Sequence, residues 1–242
     1  MNINSLKRNT MCFLSFTFLL INIFSFGQVI NDSKADKTIR LYEIITDSSI
    51  SENKILRLEI FGNSKMLMTT QTAISYDYCK SIDECERSFE KLENGKVIQI
   101  HDEITGLITK SDLTWIHPPR FESFRILELN AFPYYKKNSK TWIKSITFGS
   151  EWGNEKWVTW EGFKTSTSNY TKSETPVEFI LGDKKIECIE IQATTTIPNI
   201  GKTNSVFHYN EKYGFVRMIF TTINDKNIEF KLIKTLNDSD SN

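Results

Sequence analysis

The stretch that decides the fold is Val177 to Leu236, VEFILGDKKIECIEIQATTTIPNIGKTNSVFHYNEKYGFVRMIFTTINDKNIEFKLIKTL. Near its end Ile228, Phe230 and Leu232 alternate with Glu229 and Lys231. A period of two puts one set on a core and the other in water, which is a strand. Val216, Met218 and Phe220 alternate in the same way with Arg217, Ile219 and Thr221. Asn224-Asp225 joins the two runs, and both side chains tolerate the left-handed region that a tight turn needs. Val206 to Tyr209 forms an earlier run, connected through Asn210 to Gly214, with the glycine where a bulge or a positive φ is required. Lys185 to Thr196 precedes it, entered by a turn at Gly182-Asp183 and left at Pro198. Sequential strands with short connections imply an antiparallel meander.

Upstream, the strand pattern begins at Ile39 to Thr46, after a polar leader over residues 29–38. Lys54 to Phe61 follows, with Leu56, Leu58 and Ile60 alternating, and Gly62-Asn63 predicts a turn into Lys65 to Tyr78. Ile82 to Leu92 changes period. Ile82, Cys85, Phe89 and Leu92 are spaced as on a helix, and Ser81 with Glu84 reads as a capping box. Asn94-Gly95 predicts a hairpin turn, and Lys96 to Ile100 leaves it as a strand.

The N-terminus carries a different signal. Lys7 and Arg8 precede an apolar stretch from Met11 to Phe26, and Ser25 and Gly27 sit at −3 and −1 of a cut before Gln28. This is the pattern of a secretory leader over residues 1–27. It is shorter than the roughly 20 residues that span a bilayer. Cys12 lies at the start of the apolar run, where a lipid-attached cysteine would not. No later stretch is long and apolar enough to span a membrane. Residues 28–236 then suit one β domain, with a polar tail over residues 237–242.

The chain balances 30 basic against 30 acidic residues, and the leader takes two of the basic ones. A neutral chain lacks the concentrated basic field that nucleic acid requires. Three cysteines follow the leader. Cys79 and Cys85 are six apart and are the candidate disulfide, which leaves Cys188 as a small buried hydrophobe.

Two segments stand out as candidate sites. Leu113 to Lys137, LTWIHPPRFESFRILELNAFPYYKK, holds three of the five prolines among dense aromatics. Pro118-Pro119 removes two amide donors, so the chain leaves the sheet there. Trp115, His117, Arg120, Phe132 and Tyr134 are the candidate rim of an apolar site; the competing reading is a loop that plugs one end of a sheet. The second is Phe148 to Phe163, where Trp152, Trp157 and Trp160 are interleaved with glycines. Such a segment makes a stacking platform, or a bent hairpin whose rings close the core. For metal, His101, His117 and His208 with Asp102 or Glu103 have no ligand spacing. No nucleophile elbow, phosphate loop or zinc-protease motif is present, so neither catalytic residues nor a cofactor are assigned.

FSFGQ at the leader's end, WIHPPR, LELNAFP and EKYGFVRM with its closing strand resemble secreted β proteins of Bacteroidetes-type bacteria, a group without an assigned activity. In layout the final meander is similar to the half-barrel of periplasmic lipoprotein carriers. The expected fold is mainly β: one curved antiparallel sheet, a half-barrel or open barrel, with about one short helix. A curved sheet with a loop over its concave side can enclose an apolar space. The expected function is therefore export and non-catalytic binding of a lipid-like or apolar ligand in the periplasm or at the outer membrane. The alternatives are an envelope structural or protein-interaction module and, third, a hydrolase.

Overall fold

The computed structural model describes residues 38–46, 50–65, 69–86, 90–93, 96–150 and 158–237. The leader and its cleavage site, Asn94-Gly95, Trp152, Trp157 and residues 238–242 lie outside the described residues.

Fifteen strands account for most of the rest. They are β1 (Thr38–Thr46), β2 (Ile55–Lys65), β3 (Thr72–Cys79), β4 (Glu90–Glu93), β5 (Lys96–Gln99), β6 (Glu103–Lys110), β7 (Leu113–Ile116) and β8 (Tyr134–Lys136) in the first half. The second half holds β9 (Thr141–Phe148), β10 (Lys164–Lys172), β11 (Val177–Leu181), β12 (Lys184–Ile197), β13 (Gly201–Asn210), β14 (Gly214–Thr221) and β15 (Asn227–Asn237). A short helix, α1, spans Ile82–Glu86, and a 3₁₀ helix spans Glu122–Leu129.

One antiparallel sheet takes thirteen strands, in the order β8-β7-β6-β3-β2-β1-β15-β14-β13-β12-β10-β9, with β11 paired to the start of β12. The last strand, β15, docks beside the first, β1, so the two halves of the chain are stitched together at the middle of the sheet. Among the described residues β4 and β5 pair only with each other.

The twelve strands in the row would span about 50 Å if laid flat, at about 4.8 Å per strand. Side chains from distant places in the row nevertheless touch. Tyr134 of β8 lies edge-on to Trp142 of β9, with centroids 5.8 Å apart, although these are the two end strands. Tyr135 stacks on Tyr209 of β13 at 4.0 Å, and Thr114 of β7 hydrogen-bonds the Tyr209 hydroxyl at 3.0 Å. The sheet must therefore curl strongly on itself. Its ladder does not close, because β8 and β9 share no register.

The alternation in the final meander maps onto the inside of this curl. Val216, Met218, Phe220, Ile228, Phe230 and Leu232 are buried, while Arg217, Glu229 and Lys231 are only partly so. Each large apolar side chain buried this way contributes about 1.5–3 kcal/mol.

Three local expectations need correction. Gly62-Asn63 does not turn the chain. Gly62 has φ 48° and sits in an irregular part of β2, which runs on to Lys65 before the chain reverses toward Thr72. The helix expected over Ile82 to Leu92 does not reach Leu92, which belongs to β4; its described part is Ile82–Glu86. The cap itself is present: the Glu84 amide donates to Ser81 Oγ, and the Lys80 amide donates to Glu84 Oε2 at 2.7 Å. Cys85 then turns inward to a disulfide with Cys79, which ties α1 to the end of β3. Finally, Asn237 is not tail but the last residue of β15, opposite Thr38.

Candidate functional site

The segment 117–133 leaves β7 at the two prolines and returns at β8, and between them it crosses the concave side of the sheet. Nothing local would hold such a strap, so its polar groups must find partners on the strands. They do so on both halves. On the first half, the Tyr76 hydroxyl donates to the His117 carbonyl at 2.7 Å, and the His117 amide donates to the Gly106 carbonyl at 3.1 Å. On the second, Asn130 Nδ2 donates to the carbonyls of Asn204 and Thr221 at 3.1 and 3.0 Å. Thr203 and Tyr170 donate their hydroxyls to the carbonyls of Leu129 and Phe132. Phe124, Ile126, Leu127 and Ala131 of the strap join the main core with Tyr42, Leu58 and Phe207. Among the described residues the concave side is thus filled by the strap's own side chains.

The five rim residues separate into two groups. Trp115, His117 and Phe132 pack on one another, with centroids 4.6 to 5.8 Å apart. Tyr134, opposite Trp115 in register, continues this layer onto Trp142 and Tyr170. Burial pushes the His117 pKa down to about 4, with the Arg120 cation adding to the effect, so its ring is neutral near pH 7. Arg120 lies elsewhere. Its backbone N–H and Nε donate to the two oxygens of Glu103 at 2.9 and 3.0 Å, and one terminal nitrogen reaches Glu128 Oε1 at 3.5 Å. Arg120 is therefore committed to two buried carboxylates rather than turned to an external anion. Burial raises the Glu103 pKa to about 7 against the pull of Arg120, and it raises Glu128 as well.

Trp160, the described member of the tryptophan platform, packs edge-on to Phe148 at 5.4 Å, in a small cluster with Leu129 and Ile197. The three histidines have separate partners. His101 Nδ1 lies 3.0 Å from Asp77, His208 Nε2 lies 3.4 Å from Glu190, and His117 belongs to the strap. Among the described residues no group of histidine, cysteine and acidic side chains is arranged for a metal ion.

A different feature of the strap faces solvent. At its first turn Phe121, Tyr78 and Phe124 form a three-ring stack with Tyr78 in the middle, at 5.6 and 5.2 Å. Phe124 continues inward to Phe230 at 5.6 Å. Phe121 is the outermost ring and is half-buried. It lies in a groove of about 330 Å³, floored by these rings and bordered by Ser51, Glu52, Asn53, Lys80, Glu122 and Ser123. Glu122 adopts φ 48°, a backbone state that costs a non-glycine residue roughly 1–2 kcal/mol. The Tyr78 phenol is 9% exposed and its oxygen has no hydrogen-bond partner of normal geometry. Burial raises its pKa well above the ordinary value, and the nearby Phe121 amide only tempers this.

Sequence reasoning missed this groove. Phe121 and Phe124 are visible as an i, i+3 pair, but Tyr78 comes from β3, more than forty positions upstream. The Glu103–Arg120–Glu128 cluster was equally hidden, since Glu103 lies on β6.

No protein-family model matches the chain, and no curated protein matches it. Two solved structures follow a similar course. One is a protein of Bacteroides fragilis described as exported and of YmcC-like fold, with TM-score 0.38 and 8% identity over 85% of this chain and 97% of that one. The other is the hypothetical lipoprotein YmcC of Escherichia coli K12, with TM-score 0.36 and 10% identity over 82% of this chain and 84% of that one. Likenesses this distant carry no conclusion about activity.

Proposed function

We propose that this chain is an exported, non-catalytic binding protein that takes a small ligand, through an apolar face of that ligand, at the Phe121 groove. The observation that carries the reading is the outward end of the aromatic stack. Three rings in register lead from the core to a half-buried Phe121 in an open groove, where a further flat surface would extend the stack. Export is supported by the leader pattern of residues 1–27 and by the Cys79–Cys85 disulfide, which suits an oxidising compartment. Absence of catalysis is supported by the engagement of the buried carboxylates: Asp77 with Arg57, and Glu103 and Glu128 with Arg120. A lipid-like ligand fits less well inside the curl, because the strap occupies that space.

Thermal-shift screening and native mass spectrometry of residues 28–242 against small amphiphiles test this. A ligand is expected whose effect is lost in Phe121→Ala while the far-ultraviolet circular dichroism is unchanged. Binding that persists in Phe121→Ala would place the site elsewhere.

The protein-interaction reading has its own observation. β9 pairs with β10 alone, so one edge of this eight-residue strand is free among the described residues, and Ile143 on it is 67% exposed. An added strand from a partner would satisfy that edge. Cross-linking at position 143 in the native envelope should capture one stoichiometric partner if this surface is used.

A further inference from the structure

The geometry points to a neutral saccharide as the ligand of the Phe121 groove, an inference that rests on the binding reading above. A sugar ring has one face of C–H groups and an edge of hydroxyls. It needs an aromatic ring for the first, and side-chain acceptors and donors for the second. The groove offers both within one space. Phe121 supplies the ring, held flat by Tyr78 and Phe124 behind it. Glu52, Asn53, Glu122 and Ser123 supply the polar border. An acyl chain would instead call for a lining that is apolar throughout.

Two further observations make this more than a dent in the surface. Tyr78 lines the groove and is about nine-tenths buried, with its phenol oxygen closed to solvent, so its ring is a fixed backing for Phe121. Glu122, the residue with a positive φ, is on the same border. Strain of this kind is retained where the surrounding structure needs the residue in place.

Charge decides between sugar classes. Glu52 and Glu122 border the groove against one cation, Lys80. Close by, Asp102 has its pKa raised, chiefly by burial and further by Asp77 and Glu122, and Glu84 accepts from the Lys80 amide. The mouth is therefore acidic and disfavours uronic acids. The volume of about 330 Å³ is at the small end for ligand sites, which suits one or two sugar rings of a chain that continues into solvent.

The test is saturation-transfer NMR and titration of residues 28–242 with three probes: cellotriose, trigalacturonate and laurate. Cellotriose is expected to bind with transfer strongest at its ring C–H protons, about tenfold more weakly in Phe121→Ala, and more tightly than trigalacturonate. If laurate binds in a Phe121-dependent way and cellotriose does not, the saccharide inference is overturned and the groove stands as an apolar site. If no probe depends on Phe121, both the inference and the reading beneath it fall.

Discussion

Arg120 is the residue on which the strap's charge balance turns. It is the cation shared by Glu103 and Glu128, which are 8% and 4% exposed. Removing it leaves Glu103 buried without its cation beside Glu128, which keeps Arg125 at 3.6 Å. Arg120→Met should cost about 2–3 kcal/mol by urea unfolding at pH 8, and less at pH 5, where Glu103 accepts a proton. A cost equal at both pH values would show that the pair is not coupled to stability. The wild-type protein has two opposed pH effects. The Glu103 pKa is raised from 4.5 to about 7, so its contribution is present below about pH 4.5 and is lost as pH rises to about 7. The His117 pKa is lowered from 6.5 to about 4, so its contribution is present above about pH 6.5 and is lost as pH falls to about 4. Glu103→Gln should remove the first slope, and His117→Gln the second; unfolding midpoints from pH 4 to 8 check both. Glu122 offers a third test. Glu122→Gly relieves the positive φ and should raise stability by about 1 kcal/mol, while weakening any ligand that uses the carboxylate.

Among the elements the strap is the unusual one. Its 3₁₀ helix runs eight residues, longer than such helices commonly run. It begins after Phe121 without a side-chain cap. Contacts from the strands hold it instead. Asn130 is the densest of these, with one amide nitrogen shared among Asn204, Ser205 and Thr221. Asn130→Ala should destabilise by about 2 kcal/mol and raise amide exchange across residues 121–133 before the strands respond. Uniform acceleration over the whole sheet would mean that the strap does not open by itself.

For the molecule as a whole, the question is what holds the curl. Trp142 stacks on Tyr170 at 5.3 Å and meets Tyr134 edge-on, so among the described residues it joins the two ends of the row where no backbone ladder does. Trp142→Ala should cost about 3 kcal/mol and speed exchange in both β8 and β9. Exchange faster in β9 alone would mean that the ends are not coupled. The strands of the final meander, β12 to β15, are legible in the sequence itself, because an alternation such as Val216-Met218-Phe220 is written at neighbouring positions and reports a face. The cap at Ser81 was legible for the same reason. β6, β9 and β10 were not, since threonine, serine and lysine there blur the apolar alternation. The docking of β15 beside β1, the strap across the concave side and the meeting of Tyr78 with Phe121 came from the folded chain alone. Those contacts join residues far apart in sequence, and the curl of the sheet chooses their partners where no local pattern can.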